Sequence, residues 1–247
     1  MDPHLGIVML GAAAGGLVQG LSGTSFGLVT MAVWAWSIDP VLSGPLVVFG
    51  SLVGQILSIG SIRRSLRLSL VLPFVAGGLI GIPIGVVLLR IIDPLHFKLA
   101  VGILLAVWCP AMLFARNLPR IAGGGRIADA AVGLVGGVMG GLGGLTGAAP
   151  TLWATLRGWD RHTQRAVFQG FNLTMHAVTM ATYFAVGAVS QQALGFFPAV
   201  AAAVLIPSFI GVRLYGRFDD AAFRIVILSL LAASGAVLIA TTLPKML

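Results

Sequence analysis

Eight stretches of this chain are apolar over lengths close to those of bilayer-crossing helices, and that one feature leaves few folds open. A helix crosses the roughly 30 Å hydrocarbon core with about 20 mostly apolar residues. The stretches run 5–36, 40–60, 68–90, 97–115, 127–158, 165–187, 193–215 and 221–243, with short loops of Arg, Asp and Pro between them. At 58% hydrophobic and 9% charged residues, the 247-residue chain carries more apolar surface than a soluble core of that size can hide. A soluble globular domain and a disordered chain are excluded on that ground. A disulfide scaffold is excluded because Cys109 is the single cysteine. The expected fold is an all-α integral membrane protein, multi-pass, with one transmembrane domain over residues 1–247.

The formal net charge is +8, and all seven acids are Asp. In a soluble chain that excess would suggest nucleic acid. Here the basic residues sit in loops between apolar runs, as in cytoplasmic membrane loops, so no nucleic-acid partner is expected. The first basic residue is Arg63, and without a basic n-region a cleavable signal peptide is not expected.

The first and fifth stretches are too long for one ordinary span, and each is interrupted by glycine and small polar residues. The first interruption reads Gly20-Leu21-Ser22-Gly23-Thr24-Ser25-Phe26-Gly27, the second Gly140-Gly141-Leu142-Gly143-Gly144-Leu145-Thr146-Gly147-Ala148-Ala149-Pro150. Such backbone survives in a bilayer only where protein buries it or where it lines a polar cavity. A shift of 121 residues superposes the two. Gly15, Gly16, Gly20, Leu21, Gly23 and Thr30 fall on Gly136, Gly137, Gly141, Leu142, Gly144 and Thr151. The same shift puts Ser51 on Asn172 and Gln55 on His176. A shift of 126 puts Gly85, Asp93, Phe97 and Lys98 on Gly211, Asp219, Phe223 and Arg224. The ordered set predicts two repeats of four segments, 5–115 and 127–243.

The positive-inside rule orients them. If every stretch crossed once, seven basic residues would face one side and eight the other. If the two interrupted stretches each enter and leave on the same side, Arg63, Arg64, Arg67, Arg116, Arg120, Arg126, Arg157, Arg161, Arg165, Arg213, Arg217 and Arg224 gather together. They then oppose only Arg90, Lys98 and Lys245. Twelve against three is the asymmetry of a real topology. The first and fifth segments are therefore expected to be broken and re-entrant, each a pair of short helices folded into a V. Three remaining spans per repeat make the repeats inverted, with both termini on the non-cytoplasmic side.

That geometry brings the two breaks together. The half-helix after each begins with unpaired N–H groups and a positive dipole end, which suit an anion. The expected substrate-binding residues are Gln19, Ser22, Gly23, Thr24, Ser25, Ser51, Gln55, Gly144, Thr146, Gln169, Asn172 and His176. Ser51/Gln55 and Asn172/His176 are i, i+4 pairs that each occupy one helix face. Polar side chains inside spans usually face the bundle interior. His176 can donate to an anion or titrate with a coupled proton; the plain alternative is a histidine bonded to a neighbouring helix. Arg165 is a weaker candidate for gathering substrate, with a loop arginine that sets topology as the blander reading. Trp153 is a weaker pocket-lining candidate. It reads with Trp34, Trp36, Trp108 and Trp159 as an interfacial anchor. Asp93 and Asp219 read as helix N-caps. No metal-ligand spacing, nucleophile–base pair or nucleotide motif is present, so neither a cofactor nor a metal is expected.

Over nearly its whole length the chain resembles the sulfite exporter TauE/SafE family, also called the toluene-sulfonate uptake permease family. The likeness rests on the paired Gly-rich breaks at 15–27 and 136–150. It rests also on Leu152-Trp153-Ala154-Thr155-Leu156-Arg157-Gly158-Trp159, on Gln164-Arg165-Ala166-Val167-Phe168-Gln169 and on Phe171-Asn172-Leu173-Thr174-Met175-His176. Many members carry a Gly-Gly-Gly run and then a proline in each break; here the first break has Thr24-Ser25-Phe26-Gly27 and no proline. The resemblance implies a secondary transporter of sulfite, organosulfonates or other small anions in the bacterial inner membrane. Export is favoured, since the membrane potential helps an anion outward by about 2.3 kcal/mol per charge per 100 mV. An anion channel of the same fold and, less favoured, an integral-membrane enzyme are the rival readings. The expected partners are a small anionic substrate and the lipid bilayer. A coupling proton or cation and a homodimer stay open.

Overall fold

The computed structural model describes residues 4–58, 68–115, 120–121, 123–214 and 220–246. Arg63, Arg64, Arg67, Arg116, Arg217 and Asp219 lie outside the described residues, as do the side chains of Arg161 and Arg224. Among the described residues the chain is helical, with no strand. In order the helices are α1 (Leu5–Ser22), α2 (Phe26–Trp34), α3 (Pro40–Ser58), α4 (Leu68–Ile91), α5 (Pro94–Phe114), α6 (Gly125–Gly143), α7 (Ala148–Leu156), α8 (Arg161–Ala185), α9 (Gln191–Leu214) and α10 (Asp220–Thr242). A short 3₁₀ turn, Leu243–Lys245, follows. Seven of them (α1, α3, α4, α5, α6, α9 and α10) are long and apolar enough to cross a membrane, so this is a multi-pass membrane protein. α8 is long enough, but Arg165, Gln169, Asn172 and His176 on its buried side make it more polar.

Both long apolar stretches are indeed broken. α1 ends at Gly23, whose φ of +78° only glycine adopts at low cost and whose N–H reaches back to the Gln19 carbonyl at 2.6 Å. α6 ends the same way at Gly144, φ +71°. After each turn the chain doubles back. In the first hairpin the Trp34 indole N–H donates to the Ile7 carbonyl at 3.0 Å, and Thr30 Oγ1 donates to that of Gly11 at 3.4 Å. In the second, Trp153 Nε1 donates to Asp129 Oδ1 at 2.8 Å, and the Ile121 N–H donates to the Leu156 carbonyl at 2.9 Å. The long arms exceed the half-spans suggested by the sequence. With 18 and 19 residues, α1 and α6 rise about 27–29 Å, close to the full hydrocarbon core.

Glycine lets the long arms press against other helices. Gly20 of α1 lies against the backbone of Ser208, Gly211 and Val212 on α9; Gly141 of α6 lies against that of Ile82, Gly85 and Val86 on α4. The two sets of neighbours differ by the offsets of 121 and 126 found in the sequence. Side chains at Gly20 or Gly141 would wedge the pairs apart. Apolar packing fills the rest, with one buried cluster centred on Phe26, Met31, Trp34 and Leu46 and another on Phe74, Phe171, Met175 and Tyr183. The outward faces of α4, α9 and α10 carry exposed Ile80, Val87, Ile206, Phe209 and Leu230. Exposed apolar faces of that extent suit hydrocarbon better than water.

Candidate functional site

The two turns meet. The backbone of Gly27, at the start of α2, lies against the Gly144 carbonyl. Around that meeting point is a cavity of about 20 Å³, lined by Gln19, Thr24, Ser25, Ser51, Gln55, Gly144, Thr146, Asn172 and His176. These nine expected residues come from α1, α3, α8 and both turns. Space of that size holds about one water-sized group. Residues 26–28 and 147–148, where α2 and α7 begin, line it too. The first N–H groups of a helix have no partner within it; at the start of α7 the Ala148 N–H turns back to the Leu145 carbonyl at 3.4 Å.

The same hydrogen bond closes both turns. Gln55 Nε2 on α3 donates to the Gly23 carbonyl at 3.4 Å, and His176 Nε2 on α8 lies 3.2 Å from that of Gly144. The pairs are separated by 32 residues in each case, and they superpose under the 121-residue shift. The i, i+4 pattern holds the second residue of each pair against its turn. Thr146 Oγ1 donates to Asn172 Oδ1 at 2.8 Å, and His176 Nδ1 is 2.7 Å from the carbonyl of Asn172. Gln19 Nε2 donates to the Ser51 carbonyl at 3.0 Å, which fixes the amide. Its Oε1 and the Ser51 hydroxyl are buried without a hydrogen-bond partner among the described residues. Buried polar atoms of this kind are costly unless water or ligand meets them.

Five expected residues do not line the cavity. Ser22 turns its hydroxyl onto the Val18 and Thr24 carbonyls, both at 2.7 Å, and so stabilises the end of α1. Gly23 faces away from the cavity, and its missing side chain leaves room for the Gln169 amide and the stem of Arg165. Arg165 is 8% exposed, which does not fit a loop arginine, and the Gln169 amide is buried without a hydrogen-bond partner among the described residues. Trp153 is held at the far end of the second hairpin by Asp129, where Arg157 stacks on its ring at 5.7 Å.

The interfacial reading is corrected for two other tryptophans. Trp34, the last residue of α2, is fully buried against α1, and Trp108 lines the cavity with its indole donating to the Ala148 carbonyl at 2.7 Å. Each buried indole needs an acceptor, and a backbone carbonyl, of Ile7 or of Ala148, supplies it. Trp108 is the polar side chain of the lining that sequence reasoning misses, beside the apolar Phe26, Leu28 and Leu145; nothing in its local sequence distinguishes it from an anchor. Among the described residues no group of three His, Cys, Asp or Glu converges to hold a metal.

A family model described as sulfite exporter TauE/SafE matches residues 7–238. No curated protein and no solved structure matches the chain.

Proposed function

We propose, for a chain that belongs to the sulfite exporter TauE/SafE family, that the cavity between the two turns holds a small anion on its way across the membrane. Sulfite or an organosulfonate is the first candidate, and export the favoured direction. The observation that carries this reading is the convergence of two helix starts, three hydroxyls (Thr24, Ser25 and Thr146) and His176 on one buried cavity. No carboxylate belongs to that lining. Helix starts facing inward bind an anion without a permanently buried cation.

The wider architecture supports a carrier. Each hairpin doubles the chain back on itself, which supports the re-entrant arrangement that gathers twelve basic residues against three. α3 and α8 correspond under the 121-residue shift and run antiparallel, with Gly44 near the Tyr183 hydroxyl and Gln55 near the turn that Gln169 packs against. Helices related in that way make inverted repeats when both span the bilayer, with the termini on the non-cytoplasmic side. Rocking of one half against the other then exposes the cavity to each side in turn. A cargo of four or more heavy atoms needs the Gly27–Gly144 contact to open.

The test is a ligand panel followed by transport. Sulfite, alkyl- and arylsulfonates and carboxylates are added to the purified protein, and the unfolding temperature is read. The expected result is stabilisation by sulfite or a sulfonate, lost in Ser25→Ala/Thr146→Val. Saturable counterflow of the stabilising anion in proteoliposomes identifies a carrier. Flux without counterflow would identify a channel, and no stabilisation by any anion would sink the reading.

A further inference from the structure

The surroundings of His176 match one protonation form of its ring. Nδ1 is 2.7 Å from the Asn172 carbonyl oxygen, and Nε2 is 3.2 Å from the Gly144 carbonyl oxygen. Both neighbours are acceptors only. A neutral imidazole has one N–H and one lone pair. Either tautomer therefore sets a ring lone pair against a carbonyl oxygen. Thr146 Oγ1, 3.4 Å from Nε2, does not relieve this, because its proton goes to Asn172 Oδ1. The imidazolium donates in both directions and leaves no conflict. The Gly144 carbonyl also closes the C-terminal end of α6, where the helix dipole favours a cation.

A buried imidazolium needs a counter-charge. His176 is 3% exposed. Among the described residues no other titratable side chain lines its cavity. On α8 itself, Tyr183 gives its proton to the Gly141 carbonyl at 2.7 Å, and Arg165 lies near the opposite end. Of the helices packed against α8, α6 carries Asp129 and α7 precedes Arg157, both at the base of the second hairpin and bonded to each other there. α4 ends at Arg90, and no titratable side chain of α3 lines the cavity. On α5, Cys109 is buried in the apolar core behind Trp108.

We propose that His176 takes up a proton from the loading side together with the anion, and that the two cross and leave as a pair. This rests on the cavity being the anion site. The proton binds as the second ring N–H and supplies the positive charge that the cavity lacks. A monoanion then crosses with no net charge, so the membrane potential does not favour its export and the two concentration gradients set its direction. A dianion such as sulfite crosses with one negative charge and keeps the electrical assistance outward for that charge. The corresponding Gln55 makes the same bond to Gly23 through an amide that never titrates, so a single proton is carried per cycle.

Methanesulfonate is the probe, because it stays a monoanion across the whole range and pH then acts only on the protein. Its affinity for the purified protein is measured from pH 5.5 to 8.5, alongside ¹⁵N spectra of histidine-labelled protein with the anion bound. The expected result is affinity that weakens by up to about tenfold per pH unit on the alkaline side, with two protonated ring nitrogens on His176 in the complex. His176→Gln, which keeps an N–H for Gly144, is expected to bind methanesulfonate with no pH slope. In proteoliposomes its flux should follow an imposed membrane potential, whereas the unaltered protein should follow the pH gradient. A flat pH profile with a neutral His176 in the complex, or a pH slope retained in His176→Gln, overturns the proposal. Absence of methanesulfonate, sulfite and carboxylate binding at every pH instead removes the anion site and the proton pair with it.

Discussion

The two turns close with the same bond made by different chemistry. In the first, an amide from Gln55 holds the Gly23 carbonyl; in the second, an imidazole from His176 holds that of Gly144. The first turn is also shorter and more strained. It has three residues between its helices and two left-handed positions, Gly23 and Ser25, the latter at φ +74° without being glycine. The second has four residues and one left-handed position, Gly144. The two turns share the backbone acceptor and the helix that reaches it, and differ in the donor. An amide keeps one charge at every pH and an imidazole does not, and the proposed proton pairing rests on that asymmetry.

The strongest way to break the comparison is at the glycines that both halves share. Gly20→Val and Gly141→Val each drive a side chain into unyielding backbone, and each is expected to cost about 3 kcal/mol, read as loss of folded protein in detergent. Unequal losses would show that the two helix pairs are not equivalent. The hairpin bases should differ. Asp129→Ala removes a buried carboxylate from Trp153 and Arg157 and is expected to cost about 2 kcal/mol. Trp34→Phe in the first hairpin loses one bond to a carbonyl and is expected to cost about 1 kcal/mol. Both are read by thermal unfolding.

The corresponding hydroxyls should respond with opposite signs. Thr146→Gly loses the bond to Asn172 and is expected to destabilise by about 1 kcal/mol. Ser25→Gly is expected to stabilise by about 0.5 kcal/mol, because relief of the left-handed strain outweighs glycine's entropy cost. The smallest effect is at the α8 cap. The Thr163 hydroxyl and N–H, with the N–H of His162, hold the exposed Asp160 carboxyl below its ordinary value. Its stabilising effect is therefore present above the ordinary carboxylate range and is lost as pH falls through the lowered value. Asp160→Asn should flatten the fall in unfolding temperature on acidification, and an unchanged slope would assign the acid sensitivity elsewhere.

Much of this was legible in the sequence because the bilayer restricts the solutions. Every expected apolar stretch is a helix or a pair of helices, and each long stretch breaks at its glycines. Nine expected site residues line one cavity, since polar groups in apolar helices have few places to go. Ser22 shows the limit of that reasoning: a hydroxyl beside a helix end can serve the turn as readily as a ligand. Gln169 shows another, since it shares a helix with Asn172 and His176 yet packs beneath the opposite turn. Trp34 and Trp108 were misread because an indole near a segment end looks the same whether lipid headgroups or a backbone carbonyl will satisfy it.

The sequence by itself determined the number of helical segments, where two of them break and which polar pairs share a face, because period, length and glycine content act locally. Only the tertiary structure decided which helices the glycines bring into contact, how far the hairpin arms reach and which acceptors surround His176. Those depend on backbone groups far apart along the chain. A carbonyl at residue 144 has no side chain to announce that it will meet a ring at residue 176.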